Sequence, residues 1–303
     1  MAAETAPRAA ILGANRIPFG KAGGAYKDVT NLDMLTTTLN GLVARFNLQG
    51  ERLDDVSAGA VLKHSRDFNL AREAVLGSSL DPHTPAFDVQ RACATSMEAT
   101  WAIANKIALG QIQAGIAAGV DSTSDAPIVV TDRLRKALMR LSWAKTASQK
   151  LKALSAIRPS DLAPVAPNVN EPRTNLSMGE HQALTTARLD VTREEQDAIA
   201  LASHTNLAAA YDRGLFDDLM TPYRGLTRDE SLRVDTSSEK LAALRPVFGK
   251  SGPEPSMTAG NSTPLSDGAA AVLLANPQWA QDRGLKPLAY FVDAEVAAVD
   301  FVH

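Results

Sequence analysis

Cysteine is almost absent: Cys93 is the only one in 303 residues. One thiol forms neither an internal disulfide nor a multi-cysteine zinc site, which excludes a disulfide scaffold and a zinc finger. Charge of one sign is lacking as well. Lys and Arg number 31 and Asp and Glu 34, a net charge of -3, so the overall balance gives no support for a nucleic-acid-binding domain. No stretch reaches the roughly 18 uninterrupted apolar residues of a membrane span. Met1 to Ala10 lacks a charged start followed by an apolar run of signal-peptide length. These absences make the cytoplasm the expected compartment. Nucleotide and metal motifs are missing too: Gly20-Lys-Ala-Gly-Gly24 is neither a P-loop nor a dinucleotide fingerprint, and there is no His-Glu-x-x-His. What is present, 45% hydrophobic and 21% charged residues, excludes disorder, collagen-like sequence and coiled coil. The length fits about two domains.

Apolar runs and periodic segments alternate along the chain. Strands are expected at Arg8–Ala14, Val56–Leu62, Ala86–Val89 and Gln113–Val120. Between them, a helix starting at Asn31 as N-cap carries Leu32, Leu35, Leu39, Leu42, Val43 and Phe46 on one face, and a short one covers Asn69–Leu76. Thr95–Leu109 reads as a helix apolar over most of its circumference, hence central. Such alternation predicts a layered α/β fold with a largely parallel sheet. From Asp132 to Arg158 eight basic residues face one acid and interleave with leucines, a basic amphipathic helical segment. A Pro/Asn-rich loop follows, then helices from about Glu180 to Arg188 and from Arg193 to Arg213, the latter opened by a Thr192-Arg-Glu-Glu195 capping box. Residues 214–256 are irregular, Gly268–Ala275 returns to strand, and Pro287–Val296 begins another.

A lone cysteine is usually a small buried hydrophobe. Here the strand Ala86–Val89, the tight connection Gln90-Arg-Ala92 and the following helix place Cys93 where free backbone N–H groups and the helix dipole favour an anion. Arg91 adds to this if it points inward. Those surroundings make a nucleophile, and the residues alone leave both readings open.

Four segments, in order, carry a resemblance: Cys93-Ala-Thr-Ser-Met-Glu-Ala99, Leu176-Ser-Met-Gly-Glu180, Leu244-Arg-Pro-Val-Phe248, and Thr258-Ala-Gly-Asn-Ser-Thr-Pro-Leu-Ser-Asp-Gly-Ala-Ala270. They resemble the nucleophile motif, the Met-Gly turn, the Arg-Pro-x-Phe and the Thr-Ala-Gly-Asn motif of thiolases. The Ser-Thr-Pro-Leu version and the basic insertion look most like the β-subunit thiolases of fatty-acid β-oxidation complexes.

The resemblance implies an α/β fold layered α-β-α-β-α: an N-terminal core at 1–120, an inserted CoA-binding loop domain at 121–256, a return to the core at 257–286 and the start of a second half at 287–303. It implies thiolytic cleavage of a 3-ketoacyl-CoA by CoA, or the reverse condensation, through an acyl group on Cys93. Met178, Phe248, Ala259 and Thr263 are the implied pantetheine contacts, and Arg233 flanks the adenine and phosphate end. CoA and acyl-CoA are substrates, and no permanently bound cofactor is implied. The implied partners are further copies of the chain and, through 132–158, a hydratase/dehydrogenase subunit or a membrane surface.

Departures are also visible. Thr95, Ser96 and Glu98 replace glycines common after the nucleophile, and Glu98 either raises the Cys93 thiol or turns to a partner. Ser177 stands where some relatives have histidine. The family's Asn-Glu-Ala-Phe-type segment, Gly-His-Pro histidine and second cysteine do not occur, and His64, His83, His181, His204 and His303 lie in other contexts. The chain is therefore expected to be a fragment without its second half, unable to complete turnover alone. Two alternatives are kept: a β-ketoacyl synthase-like condensing enzyme, and a non-catalytic truncated paralogue that binds CoA or a partner subunit.

Overall fold

Residues 8–250, 252 and 255–300 are described by a computed structural model. The expectations placed on Met1–Pro7, Pro253 and His303 lie outside the described residues. The elements in chain order are β1 Ala10–Arg16, β2 Gly20–Lys21, α1 Asn31–Arg45, β3 Asp55–Ala58, α2 Leu70–Gly77, β4 Ala86–Asp88, α3 Thr95–Ala108 and β5 Ala114–Asp121. Next come α4 Asp132–Trp143, α5 Ala147–Leu154, α6 Met178–Arg188, α7 Arg193–Asp212, α8 Ser238–Ala242, β6 Ser266–Ala275, α9 Pro277–Asp282 and β7 Ala289–Tyr290.

The sheet runs β4-β3-β5-β6-β1-β7, with β2 added on β6. It is mixed rather than largely parallel. β3 is parallel to β4 and β5, but β6 lies antiparallel to both β5 and β1. Crossovers carrying α2 and α3 join the parallel strands, since parallel neighbours cannot be linked by a tight hairpin. β6 returns from far along the sequence and fills the slot between β5 and β1, pairing with β5 from Ala114↔Ala275 to Asp121↔Gly268.

Strand alternation sends side chains to two cores. Ala114, Ile116, Ala118 and Leu273 pack with Met34, Leu35, Leu39 and Leu42 of α1 and with Leu70, Ala71, Ala74 and Val75 of α2. Ala117 and Leu274 pack with Ala99, Ile103, Ala104 and Ile107 of α3 on the other side. Helices on both faces give α-β-α layers.

Several local expectations change. The cap of α1 is Thr30, not Asn31: its side chain accepts from the Asp33 N–H, and Asp33 accepts from the Thr30 N–H in return. The basic segment is two helices, because Thr146 and Gln149 form a capping box that starts α5. The strand expected over Val56–Leu62 ends at Ala58, and that over Pro287–Val296 is only Ala289–Tyr290. α3 is two-faced. Its buried residues Thr95, Ala99, Ile103, Ala104 and Ile107 form one stripe, while Met97 and Leu109 on the other side are both 73% exposed. Its many alanines fit either environment, so composition alone did not show which face was buried.

By contacts the chain divides into two compact units: residues through Asp125 together with those from Glu171 onward, and Ala126–Asn170. The insertion expected over 121–256 spans the second unit and the part of the first that carries α6, α7 and α8. Within the second unit, α4 and α5 bury Leu134, Ala137 and Ala153, Val129 bridges Val165, and Arg133 approaches Asp161 at 3.8 Å. Arg135 and Lys136 both reach Asp132, each at 2.5 Å.

Candidate active site

β4 is tied to β3 up to its end, where the Val89 N–H donates to the Ala58 carbonyl at 3.0 Å. The adjoining Gly59 leaves room for this turn. A Cβ there would meet the Val89 carbonyl oxygen at 2.0 Å and Thr95 Cγ2 at 2.7 Å, so a side chain at 59 displaces the approach to Cys93. After Arg91, Ala92 takes φ +43°, the left-handed region that costs a non-glycine residue about 1 kcal/mol or more. Thr95 holds this turn. Its hydroxyl accepts from the Arg91 N–H at 2.9 Å and donates to the Ala92 carbonyl at 2.7 Å.

Cys93 follows as an exposed free thiol, one residue before Ala94, the N-cap of α3, which has no capping side chain. Its sulfur is accessible beside a helix start, as a nucleophile requires. Glu98 is not a lone acid: its Oε2 forms an ion pair with Arg91 Nε at 2.6 Å. Of the two courses left open, turning to a partner is the one taken, and Arg91 is committed to that carboxylate.

The other motif segments build a second cluster. Ser177 caps α6 by accepting from the Glu180 N–H, and Glu180 accepts from the Ser177 N–H, which accounts for serine at that position. Met178 is the first residue of α6 and is 72% exposed. Gly179 lies against the half-buried Phe248. The chain from Phe248 is joined to the Thr-Ala-Gly-Asn turn through Val247, whose N–H donates to the Met257 carbonyl at 2.7 Å. Within that turn Asn261 Oδ1 accepts from the Thr258 N–H at 2.7 Å, and its Nδ2 donates to Asp197 Oδ1 at 2.9 Å and to the Ser256 carbonyl at 3.1 Å. Asp197 pairs with Arg193 at 2.7 Å, and Arg193 also donates to the Leu241 and Leu244 carbonyls. Ala259 and Thr263 sit exposed on this anchored loop.

Met178, Phe248, Ala259 and Thr263 thus share one set of packed turns. Cys93 has no hydrogen bond to any of them among the described residues. Arg233 is exposed, and its backbone N–H donates to His204 Nδ1 at 3.4 Å. The remaining described histidines are engaged elsewhere: His64 with Asp125, His83 with Asp81, and His181 with the Thr174 hydroxyl. A cavity of about 560 Å3 borders the elbow, lined by Arg91, Ser96, Met97, Glu98 and Trp101 among others, and none of the six expected site residues lines it.

Three features escaped sequence reasoning: the Thr95 clamp, the Arg91–Glu98 pair and the Asn261–Asp197–Arg193 chain. The signal for the first was a Thr two residues after the cysteine. For the last it was Arg193 and Asp197 at i,i+4. Asp267, fully buried in the Asp-Gly-Ala-Ala segment, accepts from Thr123 N–H at 2.8 Å, from Ser124 N–H at 3.1 Å and from the hydroxyls of Ser122, Thr123 and Ser124. It fixes the turn after β5. At the end of that strand burial pushes the Asp121 carboxyl up, against the bonds it accepts from the Leu62 and Val61 N–H groups. Among the described residues no group of three or more His, Cys, Asp or Glu is placed to hold a metal ion, and no helix is long and apolar enough to cross a membrane.

Fold and site together define a layered α/β protein that carries a candidate nucleophile on a strained strand-to-helix turn, a device that exposes the reactive atom. Residues 9–278 match the family described as "Thiolase, N-terminal domain". The chain is 41% identical over 299 residues to a 3-ketoacyl-CoA thiolase of Alteromonas mediterranea and 39% identical to one of Yersinia enterocolitica, covering 97% of this chain and 68% of each relative. Among solved structures, Bacillus anthracis acetyl-CoA acetyltransferase superposes with a TM-score of 0.81 at 30% identity, over 98% of this chain and 73% of that one. Human mitochondrial 3-ketoacyl-CoA thiolase in complex with CoA gives 0.77 at 26% identity, over 94% and 69%. The chain belongs to the thiolase family.

Proposed function

We infer that the protein is a thiolytic acyltransferase in which Cys93 carries the acyl group. The observation that bears most weight is the free, exposed cysteine on the Ala92 turn in a chain matched to the thiolase N-terminal domain. The thiolate attacks the keto carbon of a 3-ketoacyl-CoA and the bond to the α carbon breaks. Its electron pair leaves on acetyl-CoA, which takes a proton. A second CoA thiol then accepts the acyl group and returns the thiolate. Thiolates suit this because they attack carbonyls near neutral pH and their thioesters exchange readily. Met178, Phe248, Ala259 and Thr263 are the proposed pantetheine contacts, and Arg233 the contact at the phosphate end. CoA enters as a cosubstrate.

The departing acetyl-CoA carbanion needs a proton donor, and these 303 residues contain no second cysteine to supply it. Acylation by a simple acyl-CoA makes no such demand: the cysteine displaces CoA, which leaves as a thiol. Incubation with radiolabelled acyl-CoA therefore tests the nucleophile directly. Label on Cys93 that is lost in Cys93→Ala is the expected result. Wild type and variant behaving alike, with saturable CoA binding retained, overturns it in favour of a binding-only protein.

The proposal includes a cytoplasmic location, a homo-oligomer, and docking of a β-oxidation partner subunit or membrane surface through the basic segment 132–158. The oligomer is supported by β4, an edge strand with β3 as its partner, since an unpaired strand edge is a template for association. Docking is supported by Trp143 and Leu151, 69% and 70% exposed, among basic neighbours.

A further inference from the structure

We propose that a cavity bordered by the start of α1, the short 3-10 helix Ser65–Asp67 and the start of α2 is a binding site for a guanidinium group. Its volume is about 450 Å3, and Leu32, Asp33, Arg66, Asp67, Phe68 and Glu73 are among the residues that line it. None of the six expected site residues does. Three carboxylates against one cation leave the lining negative. Two of these acids have local roles: Asp33 closes the capping box of α1 with Thr30, and Glu73 stands in the first turn of α2, where an acid suits the helix dipole. Asp67 has no such role. It is 4% exposed, and its Oδ2 has no hydrogen-bond partner among the described residues. Its other oxygen stands 3.7 Å from Arg66 Nε, beyond hydrogen-bond length. Arg66 is turned to Asp125, where Nη2 donates to Oδ2 at 2.5 Å.

A buried carboxylate oxygen without a donor is costly, so this cavity calls for a ligand that donates hydrogen bonds and carries positive charge. The acids are not grouped as ligands for a metal ion. A guanidinium fits them: it is planar and gives two parallel donors to one carboxylate. Phe68, 72% exposed, and the half-buried Leu32 offer an apolar wall for its stem, and the face of an aromatic ring attracts the cation. The same chemistry belongs to a free alkylguanidine and to an arginine side chain on a partner.

Calorimetric titrations with ethylguanidinium and with the peptide acetyl-Ala-Arg-Ala-amide test the site, and the same peptide with norleucine in place of arginine is the uncharged control. Saturable binding of a guanidinium probe is expected, weakened by at least about tenfold in Asp67→Asn, which removes the charge from the hydrogen-bonded pair. Phe68→Ala, which removes the aromatic face, should weaken it about two- to fivefold. Tighter binding of the peptide than of ethylguanidinium supports the site with an arginine side chain as occupant, and the reverse order supports it with a free alkylguanidine. Thermal unfolding shows whether Asp67→Asn folds. Where it does not, Phe68→Ala and Glu73→Gln, both at exposed residues, carry the test, and each should weaken binding. No saturable binding, equal binding of the norleucine control, or unchanged affinity in the folded variants overturns the proposal.

Discussion

Gly179 lies flat on the ring of Phe248: a Cβ at residue 179 would fall 2.5 Å from Cγ and Cδ1 and 2.6 Å from Cδ2. All three are atoms of a rigid ring, so a methyl group cannot be taken up by swinging a flexible tip. Gly179→Ala should therefore push Phe248 out of place at a cost of about 1–3 kcal/mol, the usual range for overpacking. If Phe248 contacts CoA, affinity falls with stability. Urea denaturation and a CoA titration on the same samples check both. A stable variant with unchanged CoA affinity would remove Phe248 from the binding site.

The Thr95 hydroxyl serves two backbone groups of a turn that holds Ala92 at φ +43°. Thr95→Val keeps the shape and removes both bonds, to the backbone of the exposed residues Arg91 and Ala92. A cost of about 0.5–1.5 kcal/mol is expected. Thr95→Ser should stay close to wild type in unfolding and in labelling of Cys93 by acyl-CoA. Equal behaviour of the valine and serine variants would mean that the hydroxyl does not hold the elbow.

Local signals carried most of the elements into the structure. Spacing pointed to α1, and the Thr192-x-x-Glu195 box that pointed to α7 is formed as expected. The same kind of signal existed at Thr30-x-x-Asp33 and Thr146-x-x-Gln149, where the capping residues were passed over. What local pattern could not convey was pairing at a distance. β6 is a small-residue strand like any other until β1 and β5 are known to leave a slot for it. Glu98 was legible as an acid near the cysteine, but its direction depends on Arg91 reaching back across a left-handed turn. The motifs named Phe248 and the Met178-Gly turn separately, and only the packing of Gly179 on the ring joins them.

The cations of α4 are unequally committed. Arg135 and Lys136 share Asp132, and Arg133 approaches Asp161; Arg140 has no ion-pair partner among the described residues, yet lines a cavity of about 400 Å3 with Arg133 and Lys136. Replacing Arg133, Arg135, Lys136 and Arg140 with glutamine should weaken acyl-CoA binding or association with a β-oxidation partner. The loss should be largest at low ionic strength, where exposed charges act over longer distances. Titrations at two salt concentrations measure it. Unchanged affinity for both ligands would reduce the segment to a solvated surface.

Acid stability should depend on Asp229. Its carboxylate accepts two bonds from Arg16, at 2.7 and 2.9 Å, and one from the Phe19 N–H at 2.7 Å. The Arg16 guanidinium is held near the rings of Phe19 and Phe216. Burial alone pushes this carboxyl up, but Arg16 and the Phe19 N–H outweigh it and hold Asp229 below the ordinary carboxylate range. A carboxyl depressed in the folded state stabilises the fold above its unfolded value. That contribution is lost as pH falls through the folded value, from roughly pH 4 downward. Asp229→Asn should lower stability at neutral pH by about 1–3 kcal/mol, since it removes the counter-charge of the partly buried Arg16. It should also flatten the fall in stability on acidification. Denaturation midpoints followed from neutral pH into the acid range compare the two proteins, and parallel curves would show that the pair does not govern the acid limb.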